Sequence, residues 1–134
     1  MEFLFPYNSA LTACVVLAGL MFMQVLIADF AGIKAKHVPG MPVSEGHGSF
    51  LFRATRALAN TNETLGLFLL LLVAALFLRA DATWVNGLVW TYVAARAAHM
   101  ACYYARWGLP RSVAFGLGLL AQFGLLVVCA LELH

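Results

Sequence analysis

The sequence predicts an all-α integral membrane protein: one domain of four transmembrane helices in an up-down bundle. Three observations predict it. Of 134 residues, 63% are hydrophobic and only 10% are charged, against about 25% charged in an ordinary soluble domain. Lipid, not water, is therefore the expected solvent. Four stretches are long enough to span a bilayer core, which takes about 20 mainly apolar residues. These stretches are rich in Leu and Ala without period-two alternation, so helices rather than barrel strands satisfy the backbone in lipid.

The first helix is expected over residues 9–32. The preceding MEFLFPYNS holds the acidic Glu2 and no basic run, and no clear cleavage site follows. It reads as the lead-in to a retained helix, not as a cleaved signal. Lys34 to Ser49 holds Pro39, Gly40, Pro42, Gly46 and Gly48, which mark a loop. The second helix is expected over 49–78, followed by the short turn Arg79 to Ala82. The third is expected over 83–104, followed by Ala105 to Leu109. The fourth covers 110–133, with Pro110 suited to the first helical position. Short connections make neighbouring helices antiparallel.

Lys34, Lys36, Arg53, Arg56, Arg106 and Arg111 flank the first and third loops, whereas Arg79 stands alone on the other side. The excess of basic residues places the first and third loops in the cytoplasm and both termini outside.

Several function classes drop out. The net charge of +2, with no basic tract, gives no footing for nucleic acid. Cys14, Cys102 and Cys129 are odd in number, lack C-x-x-C spacing and lie in apolar stretches, so they read as small packing residues. Gly116-Leu117-Gly118 lacks the third glycine and the preceding strand of a phosphate-binding loop. No second ligand stands at metal-binding spacing from His99, so no metal site is expected. No serine-histidine-acid set is evident.

The polar residues inside the spans are not scattered. In the second helix Arg53, Arg56, Asn60 and Glu63 recur at steps of three, four and three. In the third, Tyr92, Arg96, His99 and Tyr103 recur at four, three and four. Such spacing places each set along one helix face, and charge inside a membrane is costly enough to mark function by default. With Arg111 and Ser112 at the start of the fourth helix, the two stripes form a candidate pocket for a polar, anionic ligand. A zwitterion with carboxylates and an ammonium would match guanidinium groups, one carboxylate, an amide and phenols. The plainer readings are a Glu63–Arg96 ion pair fixing register, Asn60 as interhelical glue, His99 as a hydrogen-bonded packing residue, and Arg53 snorkelling to the headgroups.

The run RATRALANTNET (Arg53 to Thr64), with its R-x-x-R-A-x-x-N-x-x-E pattern, resembles the second helix of the membrane-associated proteins in eicosanoid and glutathione metabolism, the MAPEG family. ARAAHMACYYARWGLPRS (Ala95 to Ser112) is similar to that family's third helix and following turn. Chain size, four helices and a long first loop also match.

The resemblance implies a homotrimer with glutathione at the subunit interface, open to the cytoplasm. It implies glutathione contacts at Arg56, Asn60 and Glu63 on the second helix and at His99 and Tyr103 on the third; Arg53 and Arg96, on the same two stripes, are counted with them as candidate cofactor-binding residues. It implies an Arg111 that stabilises the glutathione thiolate, with Ser112 beside it. Leu58, Ala59 and Phe115 depart from the prostaglandin synthase branch, which has histidine, arginine and tyrosine there.

The function expected from the resemblance is therefore a bacterial-type membrane glutathione transferase, with peroxidase activity as a further expectation, in the inner membrane with its site facing the cytoplasm. Its partners are glutathione as co-substrate, a lipophilic small molecule or lipid, membrane lipids and further copies of itself. A non-catalytic lipid-binding or scaffold protein on the same fold is the alternative. A small transporter is disfavoured by the lack of broken helices and internal repeats.

Overall fold

The computed structural model describes residues 2–133. These form a short 3-10 helix (Glu2–Tyr7), then α1 (Asn8–Lys34), α2 (Phe50–Leu78), α3 (Ala82–Ala105) and α4 (Gly108–Leu131). At 1.5 Å per residue each α-helix runs about 36–43 Å, longer than a bilayer core of about 30 Å. The stretches Glu2–Lys34, Phe50–Leu78 and Gly108–Leu131 are long and apolar enough to cross a membrane. α3 matches them in length but is more polar, and it turns that polarity inward: Tyr92, Arg96, His99 and Tyr103 are all buried. Large apolar side chains instead face outward, among them Phe22, Phe30, Leu70, Phe77, Leu120 and Phe123. Water does not tolerate so much exposed apolar surface on a monomer, and lipid does. The chain is an all-α, multi-pass integral membrane protein.

α2 and α3 lie at the centre. α2 touches all three other helices, α3 packs most extensively on α4, and α1 lies against α2 and α3. Small residues permit close approach where lipid gives no hydrophobic drive: Ala10, Ala13, Ala54 and Ala57 have no exposed surface. Two glycines set the α3–α4 distance. A Cβ on Gly124 would come within 2.7 Å of Leu88, and one on Gly118 within 3.2 Å of the Arg96 guanidinium. Thus Gly118 belongs to no phosphate loop; it makes room for a buried arginine. Mid-bundle, Phe68 stacks on Tyr92 with ring centres 4.2 Å apart.

The helix ends follow local chemistry. The Asp81 side chain accepts from the amides of Thr83 and Trp84 at 2.9 and 3.1 Å, so α3 begins at Ala82 behind an N-cap. α2 and α3 close with Arg79 and Arg106 in the left-handed region (φ 56° and 64°). The amides after them, of Ala80 and Trp107, return to the carbonyls of Ala75 and Cys102, the Schellman arrangement. Pro110 is not the first residue of α4, as expected, but the third. Helix starts at Gly108 because the missing N–H is harmless anywhere in a first turn.

At the same end as Arg79 the 3-10 helix is tied down. The Asn86 side chain donates to the Pro6 carbonyl and accepts from the Ala10 amide, both at 2.8 Å. The Trp90 indole donates to the Ser9 hydroxyl at 2.9 Å.

Candidate functional site

At the opposite end of the bundle α2, α3 and α4 surround an open cavity of about 240 Å³, lined by Asn60, His99, Tyr103, Arg111, Ser112 and Phe115. Each position has a local cause. Asn60 lies about two turns into the polar stripe of α2. His99 and Tyr103, four residues apart, share one face of α3. Arg111 and Ser112 occupy the first turn of α4, which the tight turn through Arg106 folds back against α3.

Tyr103 is the centre of the cluster. The Arg111 guanidinium lies over its ring at 4.6 Å, a cation–π distance. His99 meets the same ring edge-on at 5.2 Å. The Ser112 hydroxyl donates to the Gly108 carbonyl at 3.3 Å, leaving its oxygen as an acceptor at the cavity wall.

Behind the cavity lies a buried polar layer. Arg96 is 1% exposed. Its guanidinium packs near the rings of Phe115 (5.4 Å) and Tyr92 (5.9 Å), and it reaches the Asn60 carbonyl at 3.5 Å. The Tyr92 hydroxyl pairs with the Thr64 hydroxyl at 2.9 Å, and the Gln122 amide donates to the Thr64 carbonyl at 2.8 Å. Further polar atoms are buried with no partner among the described residues: both amide atoms of Gln24, Oε1 of Gln122, Nε of Arg96 and Nδ1 of His99.

The sequence stripes are thus only partly brought together. Asn60, His99, Tyr103, Arg111 and Ser112 converge on one cavity. Arg96 stands behind its wall rather than in it. Arg56 and Glu63 are exposed on the outer side of α2, so the Glu63–Arg96 ion pair considered from sequence does not form. Arg53 is 9% exposed; its guanidinium donates to the carbonyls of His47 and Gly48 at 2.7 and 3.0 Å.

The helical period explains the split. Steps of three and four return to nearly the same azimuth only as a pair. Arg53 and Asn60 share the inner edge of a broad stripe, and Arg56 and Glu63 share its outer edge. Tyr92 joins the core with Phe68 and Thr64 rather than the cavity.

Phe115 lines the cavity and the His47 ring stacks on Tyr103 with centres 6.1 Å apart; neither belongs to the two polar stripes. Phe115 is four residues on from Arg111, one helical turn, which is the signal that places it on the same wall. His47 lies in a glycine-rich loop, where no periodicity exists to find it. Gln24 and Gln122, lone amides in the middle of apolar spans, lie outside the two stripes; their isolation is the signal that could have found them.

The model of the MAPEG family matches residues 10–131, a span that holds every residue lining the cavity. No individually curated protein matches the chain.

Proposed function

The chain belongs to the MAPEG family, and from that premise we propose that it is a membrane-bound glutathione transferase. Reduced glutathione is its co-substrate and a lipophilic electrophile from the bilayer its acceptor. One observation carries the reading: Arg111, Asn60, His99 and Tyr103, drawn from three helices, line one cavity. That set matches a thiol peptide anion. It holds a guanidinium, an amide and a phenol, with the Phe115 ring beside them for an apolar acceptor.

The chemistry needs no protein nucleophile. A thiol has a pKa of about 8.5, so little thiolate exists at neutral pH. A guanidinium beside the sulfur favours the anion. The thiol proton leaves to water through the open cavity; the thiolate sulfur then attacks the electrophilic carbon, a thioether bond forms, and the leaving group departs with the bonding pair. In this reading Arg111 holds the thiolate, and the Ser112 oxygen, in the next position, accepts the thiol hydrogen bond before ionisation.

A single subunit offers less than the ligand needs. The cavity of about 240 Å³ lies below the usual range of about 300–1,000 Å³ for ligand pockets. Arg56 and Glu63 meanwhile stand exposed on α2, where charge facing hydrocarbon is costly. A second copy packed on that face would complete the walls and bring Arg56 and Glu63 to the peptide's carboxylates and ammonium. The exposed charges support an oligomer, and the homotrimer of this reading is what the family resemblance implies, with the mouth at the basic, cytoplasmic end.

The test is calorimetric binding of reduced glutathione to the detergent-purified oligomer, followed by conjugation to a dinitrohalobenzene. Binding in the wild type that is lost in Glu63→Ala supports the reading. No binding to a folded oligomer refutes it.

A lipid-binding role without catalysis is favoured by a different observation. A groove of about 570 Å³ runs along α1 between Met23, Leu26, Phe30 and Phe50, with Lys34 at its end. Under that reading Arg111→Ala keeps ligand binding and any cellular phenotype. Loss of turnover in that variant decides for the transferase.

A further inference from the structure

We infer that Arg53 and His47 form a clamp that holds the loop before α2 against Tyr103 at the edge of the cavity, with both acting as positioning residues through Tyr103. Arg53 is the fourth residue of α2. A cation there opposes the helix dipole, whose N-terminal end favours negative charge. The first turn of α2 holds no acidic residue to compensate it. Helical side chains lean toward the N-terminus, and Arg53 uses that lean. One terminal nitrogen reaches back past the helix start to the His47 carbonyl at 2.7 Å and the Gly48 carbonyl at 3.0 Å. Charge-assisted bonds of this kind are roughly twice as strong as neutral ones. The same loop is tightened by the Ser49 amide donating to the Gly46 carbonyl at 2.9 Å.

What the clamp holds is the imidazole of His47. Its ring stacks on Tyr103, with centres 6.1 Å apart and planes within 20°, and it meets the edge of Phe52 at 5.0 Å. Tyr103 is the residue on which the Arg111 guanidinium and His99 also rest. Three groups therefore fix one ring: His99 from its own helix, Arg111 from α4, and His47 from the loop. Only the last depends on a segment with no helical support of its own. Gly46 and Gly48 flank His47 and give that segment backbone freedom. Among the described residues Arg53 supplies the only side-chain hydrogen bonds to the backbone of residues 44–48. The buried cation of α2 is thus assigned to the loop rather than to the ligand. The consequence for ligand binding rests on the glutathione reading above; the clamp itself does not.

Two measurements on the full chain in detergent test it. In amide hydrogen exchange without ligand, residues 44–50 are expected to exchange roughly tenfold faster in Arg53→Met, the order expected for losing a bond to a charged donor. Arg53→Gln, neutral and too short to span both carbonyls, carries the same expectation if Arg53→Met does not fold. Unchanged exchange overturns the clamp.

The second measurement uses reduced glutathione as the probe. Arg53→Met and His47→Ala are each expected to weaken binding roughly threefold to tenfold, and the double variant no further than the worse single one, because both act through one contact. In turnover the loss falls on KM for glutathione with kcat held. Additive losses, or a fall in kcat alone, overturn the inference. A wild-type chain that binds no glutathione refutes the transferase reading instead, and the exchange result then decides the clamp alone.

Discussion

Removing the Arg111 guanidinium should move the pH dependence of conjugation, and the size of the move follows from its placement. Arg111 lines the cavity, is half-buried and lies 4.6 Å over the Tyr103 ring. A thiolate in contact with it, at about 4 Å, gains up to about 4 kcal/mol at an effective dielectric constant near 20. The cavity is open and Arg111 is not fully enclosed, so solvent reduces this to about 2 kcal/mol, or roughly 1.5 pKa units. A thiol of pKa about 8.5 is about 3% ionised at pH 7, and one of about 7 is half ionised.

Arg111→Ala should therefore lower the conjugation rate at pH 7 by roughly threefold to 15-fold at saturating glutathione. The smaller figure allows for the weaker nucleophilicity of a more acidic thiol. The gap should close or reverse above about pH 9.5, where both thiols are ionised. Arg111→Lys keeps a cation and should hold the inflection near the wild-type position. The assay is the initial rate against a dinitrohalobenzene from pH 6 to pH 10, in protein shown to remain oligomeric. Parallel profiles with one shared inflection in wild type and Arg111→Ala would show that Arg111 does not ionise the thiol, and the mechanism would fall with it.

Three further outcomes follow. Asn86→Ala removes a donor to Pro6 and an acceptor from Ala10 and should lower stability by about 1–3 kcal/mol while leaving glutathione affinity intact; a melting curve in detergent that superimposes on the wild type's contradicts this. Phe68→Ala empties a fully buried position stacked on Tyr92, and because lipid tails solvate separated helices as well as the core does, the loss should be about 1–3 kcal/mol rather than the 3–5 or so of an aqueous core. Gly118→Val drives atoms into the Arg96 guanidinium, whereas Gly116→Ala meets nothing within 4 Å; glutathione affinity should fall in the first and hold in the second, and equal affinities would detach Arg96 from the cavity wall.

Much of the candidate site was legible because the helical period is legible. Asn60 on α2, and His99 with Tyr103 on α3, announce themselves as polar groups at whole-turn spacings in apolar spans. Arg111 and Ser112 stand where a turn must return the chain. Other residues carried the same signal and came to different places. Arg53 matches Asn60 in azimuth, yet it lies at the helix start, within reach of loop carbonyls that only the folded connection presents. Arg96 is in phase with His99, but the glycine opposite it on α4 lets its guanidinium sink behind Phe115. A spacing rule specifies an angle about one helix axis. It does not say what stands opposite.

The sequence by itself determined the solvent, the helical class and the end of the bundle at which polar groups gather. Few charges and long apolar runs leave only lipid-embedded helices able to satisfy the backbone. The tertiary structure alone decided which edge of each polar stripe faces inward. It left Arg56 and Glu63 outside, withdrew Arg96, assigned Arg53 to the loop and brought His47 onto Tyr103. The physical reason is that helix rotation and approach are set by packing between helices, here by alanines on α1 and α2 and by Gly118 and Gly124 on α4. In lipid that packing, not the burial of apolar surface, selects one arrangement among many.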